Sequence, residues 1–256
     1  MRFSKPFILF LFLIVYSSWT VGQDTIFLLN PSFESNPRKG GEISNQIDGW
    51  TDCGHINFPG QTPPDIHPTP DSAWGVTLEA FDALTYLGLV TRYDDTYESV
   101  SQKLSIPLKS GKCYKLSGYY SLSETYQSVT KRSFSDSKSI PMIQKGKKRK
   151  QVSWSYWLTH ENVIIVKDEP VPEDFSNPVE LLVWGGFENC KRNQLYVHSG
   201  PISQHTWTPF TLEFSPSDDH DHITLGAFFE YGYTEPYNGH LLIDGLSPII
   251  EIPCKD

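Results

Sequence analysis

The chain has 256 residues, with 21 Lys and Arg against 30 Asp and Glu, and a formal net charge of −9. So acidic a chain lacks the cations that phosphate contacts need, which argues against general nucleic-acid binding. Its length suits one large domain or two small ones, either able to bury a core of its own.

The chain opens MRFSKPFILFLFLIVYSSWTVGQ. Arg2 and Lys5 precede an apolar run from Pro6 to Tyr16, and a small-residue polar stretch ends near Gly22 and Gln23. That order predicts a secretory signal peptide over residues 1–23. The apolar run falls short of the roughly 20 residues that span a bilayer. No later segment is long and apolar enough to do so, so the mature chain is expected without a membrane span. The expected destination is the periplasm, the cell surface or the medium.

Four cysteines follow: Cys53, Cys113, Cys190 and Cys254. An even number in an exported chain predicts disulfides, and the sequence does not choose among the three connectivities. Free buried thiols are the alternative. No CxxC pair is present, so a zinc site built on these residues is not expected. At least one bridge is expected, drawn from Cys53, Cys113 and Cys190, with Cys254 in the tail the one left over.

Strand signals dominate the rest. Thr25–Leu29, Thr85–Thr91, Glu98–Leu104 and Cys113–Leu122 are short runs rich in β-branched and aromatic residues, as are Val179–Trp184, Thr208–Phe214, His222–Phe229 and His240–Ile243. In Cys113–Leu122 one face collects Tyr114, Leu116, Gly118, Tyr120 and Leu122, and period two means one face buried and one wet. Pro59-Gly60, Pro63-Pro64, Ser110-Gly111, Gly185-Gly186 and Asn238-Gly239 mark turns between the runs. No long amphipathic helix stands out. Many short strands separated by turns predict an all-β sandwich or barrel.

Two stretches interrupt the pattern. Residues 51–75 hold five prolines and read as a long ordered loop. Residues 130–151 hold eight Lys or Arg, including Lys145, Lys147, Lys148, Arg149 and Lys150. They read as a solvated inserted loop, or else as a patch for an anionic glycan or acidic partner. Val152–Val166 then looks like an extra hairpin, which makes 130–175 an insertion within one domain spanning 24–256.

The ends of that domain carry recognisable marks. Leu28-Leu29-Asn30-Pro31-Ser32-Phe33-Glu34 is followed by Gly49-Trp50, and Leu241-Leu242-Ile243-Asp244-Gly245 stands near the C-terminus. Between them come Asp82-Ala-Leu-Thr-Tyr-Leu-Gly, Val100-Ser-Gln-Lys-Leu and Leu108-Lys-Ser-Gly-Lys-Cys-Tyr. This series resembles the carbohydrate-binding modules of the galactose-binding-like jelly-roll superfamily. Gly49–Gly54, Thr62–Pro68 and Val183–Gly186 are similar to exported, carbohydrate-binding-like proteins of Bacteroidetes-type bacteria. The resemblance covers most of 25–250 and skips the insertion. It implies an antiparallel jelly-roll β-sandwich with Trp50 in the core. It also implies a structural calcium between the first and last strands, with Glu34 and Asp244 as side-chain ligands. Oxygen ligands suit that ion. Gly245 stands where the family often has a second acid, which removes one ligand.

A sugar presents apolar C–H faces and a rim of hydroxyls, so its site needs aromatic rings beside polar groups. Candidate rings are Trp50, Trp74, Trp184, Tyr93, Tyr97 and Tyr237. The densest polar loops carry Asp65 and His67, then Arg92, Asp94 and Glu98. The expected ligand surface is Asp65, His67, Trp74, Arg92, Asp94 and Glu98, on loops stiffened by proline. The expected function is non-catalytic binding of carbohydrate, or a cell-surface glycan, outside the cytoplasm. One alternative is a glycan hydrolase using carboxylates of the 65–98 loops, such as Asp65 with Glu98, or His67 as a base. Another is a structural protein of a surface assembly that touches a protein partner. No GxSxG, HExxH or P-loop motif supports an enzyme. The run Asp218-Asp219-His220-Asp221-His222 is reminiscent of a metal cluster but reads as a polar hairpin turn.

Overall fold

The computed structural model describes residues 24–39, 47–57, 61–128, 151–152, 156–157, 172–230, 232 and 235–255. The expected signal peptide, the lysine-rich run and most of the hairpin that follows it lie outside these residues.

Within them strands are the dominant regular structure. In chain order the strands are β1 (Thr25–Ile26), β2 (Thr51–Asp52), β3 (Asp65–His67), β4 (Tyr86–Thr91), β5 (Ser99–Leu108), β6 (Cys113–Leu122), β7 (Gln127–Ser128) and β8 (Gln151–Val152). Then come β9 (Tyr156–Trp157), β10 (Glu173–Asp174), β11 (Val179–Gly186), β12 (Gln194–His198), β13 (Thr208–Phe214), β14 (His220–Phe229), β15 (Gly239–Asp244) and β16 (Ile249–Ile252). One five-residue helix, α1, spans Cys53–Asn57. No described helix is long and apolar enough to cross a membrane.

Two antiparallel sheets make a jelly-roll sandwich. The first runs β1-β16-β6-β15-β4-β3, with β13 also on β6, and the second runs β12-β11-β14-β5-β2. The alternation legible in β6 sets its orientation: Tyr114, Leu116 and Leu122 are buried in the main core, with Tyr120 packed against it. From the same sheet come Leu87, Leu89, Leu241 and Ile243, and the facing sheet adds Val100, Leu181, Val183, Ile223 and Leu225. Trp50 is core as well, 5.2 Å from Phe33 between ring centroids, its Nε1 donating to the Asn30 carbonyl.

β4 is buried at every position, because a second layer covers its outer side. Tyr86, Val90 and Leu242 point away from the main core and meet Val76, Tyr126 and Phe175. Trp74 and Trp207 pack against this second cluster. Its roof is the 69–80 segment plus the short β7–β10 pair, fastened where the Phe175 amide donates to the Tyr126 carbonyl.

Both disulfides tie distant parts of the chain. Cys53 in α1 joins Cys190 in the β11–β12 turn, and Cys113 at the start of β6 joins Cys254. The second bridge corrects the expectation that Cys254 is left over. β16 runs antiparallel along β6 with Ile252 opposite Cys113, so the tail carries Cys254 back to Cys113.

Candidate functional site

The proline-rich loop contains a strand the sequence did not announce. β3 lies along the edge of the first sheet, pairing Asp65 with Gly88 and His67 with Tyr86. Its alternation sends Ile66 into the main core and Asp65 and His67 to the opposite face. β15 does the same with His240, between Gly239 and Leu241. Asp65, His67 and His240 therefore meet on the outer face of one sheet, beneath the second layer.

All three are buried. The Tyr126 hydroxyl donates to Asp65 Oδ2 at 3.1 Å. His67 Nε2 stands 3.8 Å from the same oxygen, and the two imidazoles meet edge to face with centroids 5.4 Å apart. Burial, and then His67 beside it, hold the His240 imidazole well below the ordinary histidine range. Gly88 makes room: a Cβ there would stand 2.6 Å from His240 Nε2 and 2.9 Å from His67 Cδ2.

Next to this group lies a buried ion pair. Arg92 Nη2 donates to Glu98 Oε1 at 2.8 Å, and Thr62 Oγ1 donates to the same oxygen. The Val90 amide donates to Glu98 Oε2. Burial pushes the Glu98 carboxyl up to about 8, with the Arg92 guanidinium pulling against it.

The expected ligand surface thus divides. Asp65, His67 and Glu98 are inside the protein, where a sugar at the surface does not reach them. Arg92 and Trp74 are half-buried, the first holding Glu98 and the second packed on Tyr126. Asp94 alone of the six is exposed, and it accepts from Thr96 Oγ1 in its own turn. The other candidate rings are also engaged. Arg192 stacks over both Tyr97 and Trp184, at 4.7 and 4.5 Å from their centroids. Tyr93 and Tyr237 border a small hollow with Asn177, Asn238 and Glu173.

A larger opening than this hollow lies elsewhere on the second layer. An open groove of about 490 Å³ runs between the 76–81 segment, 123–125 and Trp207. Exposed Phe81 lies on Tyr119, and half-buried Trp207 donates from Nε1 to the Glu79 carbonyl. Glu79, Glu124 and His205 are exposed along it. Sequence reasoning missed this groove, because Phe81, Trp207 and the two acids come from three distant segments with no common motif.

Glu34 and Asp244 converge on the 81–85 turn. Asp244 Oδ2 accepts from the Phe81 and Asp82 amides, and its Oδ1 from Gly245. Glu34 Oε1 accepts from the Leu84 and Thr85 amides. Burial raises the Asp244 carboxyl to about 6, against those amide hydrogen bonds. The Asp218–His222 run gathers no metal-type cluster among the described residues. Asp219 pairs with Lys109 at 2.8 Å, His220 Nδ1 meets the Tyr196 hydroxyl, and His222 Nδ1 meets Asp221.

Fold and second layer together define an all-β jelly-roll sandwich with a roofed outer face. No family model matches the sequence, and no curated protein does. Among solved structures the chain is similar to the CBM22-1 xylan-binding domain of Xyn10C from Paenibacillus barcinonensis, at 11% identity and a TM-score of 0.42, over 91% of this chain and 97% of that one. It is similar to the Stig cyclase Fisc from Fischerella sp. TAU at 12% identity and a TM-score of 0.44, over 91% and 100%. A family 16 carbohydrate-binding module-2 gives 12% identity and a TM-score of 0.38, over 87% and 97%. These are likenesses of shape, shared by binding modules and cyclases alike, and no function is carried over from them.

Proposed function

We propose that this chain is an exported, non-catalytic protein that binds carbohydrate in the groove between Phe81 and Trp207. The observation that carries the reading is the composition of that groove: two solvent-reaching rings beside two carboxylates and an imidazole. Rings match the C–H faces of a sugar, and Glu79, Glu124 and His205 match its hydroxyls. The volume is within the range of small-molecule sites. Work outside the reducing cytoplasm is supported by the two disulfides, since such bonds persist in oxidising compartments. The hydrolase alternative is less well supported, because burial sets Asp65 and Glu98 away from any glycosidic oxygen. Screening the purified protein on an array of neutral oligosaccharides, then titrating the best binder, is the test. Glu124→Gln and His205→Ala change exposed side chains, so folding is expected to survive while affinity falls about five- to tenfold each. Little change is expected with salt. Affinity that ignores these substitutions, or collapses with salt, refutes the groove.

A structural calcium at Glu34 and Asp244 is part of the same proposal. Glu34 Oε2 and the remaining lone pair of Asp244 Oδ1 are the oxygens that would hold it, and hard oxygen donors suit the ion. Free calcium at a hundredfold excess over its dissociation constant stabilises a fold by about 2.7 kcal/mol. That corresponds to roughly 5–10 °C in a domain this large. A calcium-selective chelator is therefore expected to lower the melting temperature, calcium to restore it, and Glu34→Gln to abolish the response. Identical melting with and without chelator removes the ion from the proposal.

A further inference from the structure

Two histidines sit deep in this protein, and among the described residues neither ring makes a hydrogen bond. His67 and His240 are both fully buried, and among the described residues none of their four ring nitrogens has a hydrogen-bond partner. Buried polar atoms in folded proteins are satisfied in the great majority of cases, and orphans need an explanation. The packing around them is not loose. Tyr126 lies 4.2 Å from His240 between ring centroids, and Tyr86 stacks on His67 at 5.7 Å. Three strands deliver the group, Asp65 and His67 from β3, His240 from β15, and the bare backbone of Gly88 from β4 between them.

We propose that Asp65, His67 and His240 form a buried site for a zinc-class divalent cation. Their ligand atoms all lie within 4.8 Å of one another. A tetrahedral zinc ion with bonds of about 2.0–2.2 Å holds its ligand atoms roughly 3.3–3.6 Å apart, so shifts of about 1 Å close the set. Imidazole nitrogens choose zinc and its transition-metal neighbours over calcium or magnesium. One carboxylate beside two neutral imidazoles is a common zinc donor set. The Tyr126 hydroxyl, bonded to Asp65 Oδ2, fixes the carboxylate as outer partners of metal ligands do. The ion accounts for one nitrogen on each ring, and the other stays as N–H. The site is separate from the proposed calcium, which lies at Glu34 and Asp244, and it does not depend on the carbohydrate reading.

A metal enclosed this deeply enters as the chain folds, so binding and stability are linked. The test uses the full chain, refolded after chelation, with Zn²⁺ and Co²⁺ as probes. One equivalent of Zn²⁺ is expected to remain through dialysis and to raise the melting temperature, and Co²⁺ to give the visible absorption of a four-coordinate nitrogen–oxygen site in which one water completes the three protein donors. His67→Asn and His240→Gln, which keep polar side chains of similar reach, are expected to weaken Zn²⁺ at least about 100-fold. His205→Ala, in the exposed groove, is expected to leave it unchanged. Gly88→Ala intrudes on both imidazoles and is expected to lower metal affinity even where circular dichroism shows a folded protein. The proposal is overturned if neither ion binds with one-to-one stoichiometry, or if binding survives both histidine substitutions. Loss with His205→Ala instead would place the metal at the surface and also overturn it.

Discussion

Reducing both disulfides is expected to unfold this protein near room temperature. Cys53–Cys190 and Cys113–Cys254 are separated by 137 and 141 residues. In the chain-entropy picture a crosslink closing a loop of that size removes roughly 5 kcal/mol of unfolded-state freedom, and removing a native bridge usually costs about 2–5 kcal/mol. The two loops interlock, since Cys113 lies inside the first and Cys190 inside the second, so the combined loss is smaller than twice that. It still rivals a typical domain stability of about 5–15 kcal/mol. Thermal melts of oxidised and fully reduced protein measure the effect, beside the paired variants Cys53→Ser/Cys190→Ser and Cys113→Ser/Cys254→Ser. Each pair is expected to lower the melting temperature by about 5–15 °C. Thiol titration of the oxidised protein in denaturant should find none free. A reduced protein melting within about 3 °C of the oxidised one would show that neither crosslink matters.

What the sequence disclosed, and what it hid, follows from how each signal is encoded. The eight strand runs read from β-branched and aromatic residues all overlap strands, the first only at Thr25–Ile26, because period two is a local property. In β6 it even identified the inward face correctly. β3 escaped, since three residues between prolines are too few to show a period, and the strand exists only by pairing with β4. The pairing of Cys254 escaped for the related reason that it depends on β16, whose Ile249–Ile252 carried no strand assignment. The polar residues Asp65, His67, Arg92 and Glu98 stand out in the sequence as a group, and the structure does bring them together. Reading them as a solvent-facing grip overlooked the roof built by Val76, Tyr126 and Phe175. Such a roof is a tertiary fact, assembled from segments far apart in the chain. His240 drew no notice because an imidazole in an apolar strand looks like any core histidine until its neighbours are known.

The buried pair makes the sharpest demand on a single side chain. Arg92→Ala leaves Glu98 inside the protein with its Thr62 and Val90 donors but without its cation. At pH 9, where the Glu98 carboxyl is ionised, breaking the pair from one side costs about 3–5 kcal/mol, because the stranded charge must be neutralised or dragged to water. Arg92 Nη1 also donates to Thr62 Oγ1, so the same substitution loosens the Gln61–Thr62 segment that runs beside Tyr97. The expected drop in melting temperature is about 10 °C. Removing the stranded carboxylate should recover much of it: Arg92→Ala/Glu98→Gln keeps the shape of the side chain and discards its charge. If the pair is what matters, the double variant is more stable than Arg92→Ala alone, and the coupling in a double-mutant cycle exceeds about 1 kcal/mol. If Arg92→Ala melts within about 2 °C of the native protein, or the second substitution adds its own full penalty, then the guanidinium is a surface group that happens to touch Glu98. In that case Arg92 returns to the list of residues free to meet a ligand.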